Sequence, residues 1–192
     1  LTNKTFRRKK MGKFSVETCE IEGLKVITPT AFGDKRGYFM ESYQANDFKE
    51  MGIDTVFVQD NQSSSTKGVL RGMHFQKNFP QDKLVRVISG EVFDAVVDLR
   101  KDSPTYGKSF GVILSAENRK QLFIPKGFAH GFVVLSDYAE FFYKVSDFYH
   151  PNDEGGLLWN DPEVGIDWPI KDESELNIIE RDQNWPKLSE LK

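Results

Sequence analysis

Along much of this chain apolar and polar residues alternate with a period of two, the signature of short strands that bury one face. The pattern is clearest in "GYFMES" (37–42), "TVFVQD" (55–60), "KGVLRGMHF" (67–75), "KLVRVIS" (83–89) and "EVFDAVVDLR" (91–100). It resumes in "FGVILS" (110–115), "KQLFIP" (120–125), "HGFVVLS" (130–136) and "AEFFYKVSDFY" (139–149). β-Branched and aromatic residues dominate these runs, and turn-forming residues separate them. Ser89 and Gly90 predict a tight hairpin between two runs, and "KDSPTYGK" predicts a connecting loop. The helix predicted in the first half is the short "ANDFKEMG". After "HPNDEGG" the alternation stops: "LLWNDPEVGIDWPI" is broken by proline and glycine, and the charged end of the chain predicts short helical pieces wrapped round the strands. Many short strands without strand–helix alternation predict an all-β antiparallel sandwich or jelly roll, with short helices in the N-terminal half and the C-terminal tail.

One run breaks its own pattern. In "VLRGMHF" (69–75) strict alternation puts His74 on a face with Leu70 and Gly72, and Arg71 on the other. A bulge at Gly72 would shift the alternation by one and turn both polar residues towards one cavity. The competing reading of His74 is a hydrogen-bonded structural histidine at the edge of water.

Composition narrows the setting. The 192 residues, 39% hydrophobic and 13% aromatic, suit one domain with a substantial core. The formal charge is −3, yet "LTNKTFRRKK" holds five basic residues and no acidic one, which leaves 21 basic against 29 acidic residues in 11–192. An acidic body argues against a nucleic-acid surface. Residues 1–10 read as a basic extension outside the fold, and 11–192 as the single domain. The lone Cys19 cannot form an intrachain disulfide, and no apolar run is long enough for a signal peptide or a membrane span. The expectation is a cytoplasmic protein without a membrane partner.

Two stretches resemble the paired motifs of cupin jelly rolls. Gly68 and His74 match the opening of the first, and Pro125, Gly127 and His130 of "PKGFAH" match the second. A metal-binding cupin carries another histidine two residues after His74 and a glutamate soon after, whereas this chain has Gln76 and then no glutamate from Lys77 to Asp82. The chain has three histidines, and a metal needs three or more well-placed ligands, so no metal is expected. A pocket that keeps His74 and His130 without such ligands suits acid–base chemistry.

A narrower resemblance rests on "FGDKRGYFMES", "FVQDNQSSSTKGVLRGMHFQ", "KLVRVISGEVFDAVVDLRKDSPTYG", "LSAENRKQLFIPKGFAHGFVVLS", "AEFFYK" and "WNDPEVGIDWP". From about Phe32 to Asp182 the chain resembles the dTDP-4-dehydrorhamnose 3,5-epimerase family. The resemblance implies a metal-independent, cofactor-free cupin-type jelly roll that forms a homodimer. It also implies a substrate, dTDP-4-keto-6-deoxy-D-glucose, inverted at C3 and C5 to give the precursor of dTDP-L-rhamnose.

Inversion beside the C4 ketone needs a base on one face, a cation or donor at the enolate oxygen, and an acid on the other face. The resemblance implies His74 as base, Asp182 of "IIERDQNW" as its carboxylate partner, Lys83 as enolate stabiliser and Tyr143 as acid. Read from the residues alone, Lys83 is rather a solvent-facing lysine at a strand end, and Tyr143 a core tyrosine with its hydroxyl at the rim. Alternation groups Tyr143 with Phe141 and Val145, and Glu140 with Phe142 and Lys144. The resemblance further implies Arg71 and Arg36 near the diphosphate, polar contacts from Glu41, Gln59 and Asn61, and apolar contacts from Phe32 and Phe39. His130 resembles a sugar-facing histidine, with a satisfied core histidine as the other reading. The arm bearing Arg36 is expected to come from a second subunit. Two departures from the family pattern are a one-residue shorter loop between His74 and Lys83, and Phe148 in place of a tyrosine. Two other functions share these features: a deoxysugar enzyme that inverts one carbon or moves the ketone, and a non-catalytic sugar-nucleotide-binding cupin.

Overall fold

Strands form where one face of an alternating run meets the core, and the computed structural model, which describes residues 7–191, has fourteen of them. In chain order they are β1 (Arg7–Met11), β2 (Phe14–Thr18), β3 (Lys25–Pro29), β4 (Phe32–Asp34), β5 (Gly37–Phe39), β6 (Gln59–Thr66) and β7 (Leu70–Gln76). Then come β8 (Lys83–Ser89), β9 (Glu91–Asp98), β10 (Ser109–Ser115), β11 (Gln121–Ile124), β12 (Phe128–Val134), β13 (Tyr138–Val145) and β14 (Glu154–Gly156). The α-helices are α1 (Ala45–Glu50) and α2 (Glu180–Gln183). A seven-stranded sheet runs β1-β2-β3-β11-β8-β13-β6, a five-stranded sheet runs β10-β9-β12-β7-β14, and β4 and β5 form a separate hairpin. The strand pairs within these sheets are antiparallel. The expected all-β class is therefore found, with short helices where they were predicted.

The two sheets close on a core of Val85, Val87, Val96, Phe110, Leu122, Phe132 and Phe141. Each large apolar side chain buried there contributes about 1.5–3 kcal/mol relative to exposure. In β13 the predicted alternation holds: Phe141 and Val145 are buried, and Tyr143 packs against the same core. A second cluster places Phe48 of α1 on the outer side of the seven-stranded sheet, against Phe14, Ile27, Leu84 and Phe123. Gln44 caps α1 by accepting the N–H groups of Asn46 and Asp47. The tail covers the outside of the five-stranded sheet through Leu157, Leu188, Trp159 and their neighbours, which is why every residue of β12 is buried.

The structure corrects three sequence expectations and adds strands that were not predicted. Ser89 and Gly90 do not close a hairpin, because β8 and β9 belong to different sheets; the pair forms a corner between layers. A Cβ on Gly90 would lie 2.0 Å from the Tyr138 carbonyl oxygen, so the corner requires glycine. The strand predicted at 55–60 begins only at Gln59 and continues through the polar "QDNQSSST", leaving Val56 and Val58 exposed. Residues 7–10, expected outside the fold, pair as β1 with β2, whereas residues 1–6 lie outside the described residues. β2, β3, β4 and β14 had no sequence prediction. Among the described residues no helix is long and apolar enough to cross a membrane.

Candidate active site

The bulge expected at Gly72 is present and aims the site. Opposite β12, His74 pairs with His130 and Arg71 with Phe132, so two residues of β7 face one of β12 between those pairs. Gly72 has φ +129°, and a Cβ there would lie 2.6 Å from Gly131 Cα. The shift turns both Arg71 and His74 into one cavity of about 590 Å³. Its floor from the five-stranded sheet carries Arg71, His74 and His130, and its wall from the seven-stranded sheet carries Gln59, Asn61, Lys83 and Tyr143. Asp182 of α2 completes the set. Eight of the twelve residues expected from the sequence thus meet in one cavity.

The imidazole of His74 lies with Nε2 2.8 Å from Asp182 Oδ1. A carboxylate only accepts, so Nε2–H donates, and in the neutral imidazole Nδ1 is then the nitrogen with the free lone pair. Asp182 is buried, yet three further donors serve it: Gly72 N–H to Oδ2 at 3.1 Å, and Arg181 Nε and Trp185 Nε1 to Oδ1 at 3.2 Å each. Burial alone would raise its pKa, but the bond and charge of His74, with Gly72 and Arg181, hold it below the ordinary carboxylate value. Glu154 Oε1 stands 3.8 Å from His74 Nδ1.

A second imidazole–carboxylate pair lies beside the first. His130 Nε2 is 2.9 Å from Oδ2 of Asp94, which is fully buried and whose Oδ1 has no hydrogen-bond partner. Burial pushes the Asp94 pKa up, against the pull of His130 and Lys83. Desolvation lowers Lys83 to about 8, and Asp94 and Glu154 oppose that fall. Lys83 therefore stays mostly protonated at neutral pH. The Tyr143 phenol is pushed up by burial, and further by Glu154 and Tyr149, so it holds its proton.

Four expected residues do not line the cavity. Phe32 and Phe39 are exposed on the β4–β5 hairpin, Arg36 at its turn pairs with Asp34, and Glu41 pairs with Lys13. The loop between His74 and Lys83 is pinned by Asp153, which accepts from the backbone of Asn78 and Phe79, and Lys83 opens β8 facing the cavity. Phe148 is exposed, and the neighbouring Tyr149 lines the cavity instead. Gln76, at the cupin ligand position, is tied in both directions to the backbone of His150. Among the described residues no group of three or more His, Cys, Asp or Glu side chains is disposed to hold a metal ion.

The sequence profile described as dTDP-4-dehydrorhamnose 3,5-epimerase matches residues 18–190. The chain belongs to the dTDP-4-dehydrorhamnose 3,5-epimerase family. It is 51% identical to the enzyme of that name from Methanothermobacter thermautotrophicus, over 94% of this chain and 97% of the relative. It is 55% identical to that from Salmonella typhimurium, over 82% and 87%. The crystal structure of dTDP-6-deoxy-D-glucose-3,5-epimerase from Legionella pneumophila, in complex with dTDP-4-keto-L-rhamnose, superposes with a TM-score of 0.89 at 48% identity, covering 93% of this chain and 95% of that one. In this member of the epimerase family, sequence reading missed Asp94, Tyr149, Glu154 and Arg181. Asp94 carried a faint signal as a lone acid within the apolar run "VFDAVV", Tyr149 closes the alternating run 139–149 without a mark of its own, and Glu154 and Arg181 sit in aperiodic segments.

Proposed function

We propose that the cavity inverts C3 and C5 of dTDP-4-keto-6-deoxy-D-glucose, giving dTDP-4-keto-L-rhamnose. One observation carries the assignment of roles: His74 and Tyr143 project into the same cavity from opposite sheets. A sugar ring lying between the sheets presents one face to each. His74 Nδ1 takes the proton from the carbon next to the ketone, and Asp182 stabilises the resulting imidazolium. Negative charge gathers on the C4 oxygen, where the Lys83 ammonium, desolvated and therefore strong as an electrostatic partner, offsets it. Tyr143 returns a proton from the opposite side, so configuration inverts. The same cycle serves C5, because it also neighbours the ketone. His130, oriented by Asp94, donates to a sugar oxygen, and Gln59 and Asn61 fix the ring's register. Arg71 offers a guanidinium to the diphosphate.

The reading includes a twofold dimer. Phe32 at 55% and Phe39 at 66% exposure leave apolar surface of the β4–β5 hairpin open to solvent, which supports its reaching into a neighbouring cavity with Arg36 and Glu41. Sedimentation at micromolar concentration checks this, and an active monomer overturns it. NMR in deuterated water with dTDP-4-keto-6-deoxyglucose tests the reaction. Two labelled, inverted carbons are expected; one would indicate a monoepimerase, and none a binding protein.

A further inference from the structure

Asp182 receives its hydrogen bonds unequally. Oδ2 serves the backbone of Gly72, whereas Oδ1 is shared by His74, Arg181 and the indole N–H of Trp185. Trp185 does not line the cavity. Its indole lies against Gly156, which pairs with His74 across β14 and β7; a Cβ on Gly156 would fall 2.1 Å from Trp185 Cδ2. The chain on its far side is pinned, since Leu158 N–H donates to the Pro186 carbonyl at 2.9 Å and Leu188 N–H to Asp161 Oδ2 at 2.6 Å. The indole ring also stands edge-on to the His74 ring, with centroids 6.2 Å apart.

We propose that Trp185 is a positioning residue for the base: its N–H fixes the oxygen of Asp182 that His74 uses and limits how basic that oxygen makes the imidazole. The proposal rests on the reading of His74 as the base. A donor on a shared carboxylate oxygen withdraws charge that would otherwise stabilise the imidazolium. Removing it leaves more charge facing His74 and raises the imidazole pKa, while the carboxylate loses one of its anchors. The charged and titratable groups facing His74 are Asp182 and Arg181 from α2 and Glu154 from β14, with Arg71, Lys83, His130, Tyr143 and Tyr149 around the cavity. None of them is changed by Trp185→Phe.

The test compares the intact enzyme with Trp185→Phe, following the pH dependence of deuterium incorporation and the NMR titration of the His74 ring. In the variant both the acid limb and the His74 midpoint should move to higher pH by about half a unit, and the plateau rate should fall roughly tenfold, the loss of about one charge-assisted hydrogen bond. A lower rate with neither midpoint moved overturns the proposal, because a merely structural indole would do that. In the unmodified protein the Trp185 indole N–H resonance should titrate with the His74 midpoint; an indole signal that ignores His74 also overturns it. His74→Ala separates the two readings: exchange that survives that change refutes the base assignment, while the His74 and indole titrations still decide the link to Trp185.

Discussion

The two imidazole–carboxylate pairs of this cavity have the same spacing and different surroundings. His74 and His130 face each other across β7 and β12, each with a carboxylate under 3 Å from Nε2. Asp182 is satisfied on both oxygens and its pKa is depressed; Asp94 has one unpartnered oxygen and its pKa is raised by burial. In the proposed cycle, a fully bonded anion stabilises a neighbouring imidazole that becomes a cation during turnover. A poorly bonded, dry carboxylate instead orients its histidine and lends charge to Lys83. The distance between partners thus says little about the role of a pair, and the remaining bonds of the acid say much.

The largest effect should come from removing the first imidazole. His74→Ala should lower both label uptake and inversion by roughly 10^4-fold, with diphosphate binding less affected, measured by NMR exchange and by calorimetry with thymidine diphosphate. Tyr143→Phe should lower inversion by roughly 10^3-fold and still exchange, with label entering and configuration retained. Efficient inversion by this variant would remove the opposite-face argument.

How much of this was legible in the sequence depends on where each residue sits. His74, Lys83 and Tyr143 stand on alternating strands, so a pattern with period two put them on a face, and Gly72 hinted at the bulge. Asp182 came only through family resemblance, since 108 residues separate it from His74 and nothing local marks the pair. Asp94 was hidden because the strand register that brings β9 beside β12 is not written in either strand. β6 was misplaced for a physical reason: Gln59, Asn61 and Ser63 face a polar cavity, so the hydrophobic rule assigned the strand to the apolar residues before them.

The contrast between carboxylates can be sharpened further. Asp182→Asn should cost about a hundredfold in the exchange rate, because an amide can donate to Nε2 and favour the wrong tautomer. Asp94→Asn should cost only about tenfold at neutral pH, the scale of one lost charge-assisted bond. Its clearer mark is the pH profile. The Lys83 pKa is lowered to about 8 by burial and is supported from below by Asp94, so the wild-type rate should fall as pH rises through about 8. Without the Asp94 charge Lys83 deprotonates earlier, and this limb should move to lower pH. A limb that stays in place would detach the second pair from Lys83. The smallest effect is that of exhaustive chelation, which should leave the rate unchanged, since Gln76 is occupied by His150 and supplies no ligand.

All fourteen strands precede residue 157, whereas Asp182 stands in the tail. On a ribosome that order has a consequence: every strand of both sheets emerges while His74, the proposed base, still lacks its anion. The nascent enzyme is shaped before it is armed. A protease that cuts the exposed segment around Glu173–Glu175 would sever α2, and with it Asp182, from the strand that carries His74, and the proton transfer proposed for His74 should be lost with the cover that Leu176 and Leu188 give the five-stranded sheet.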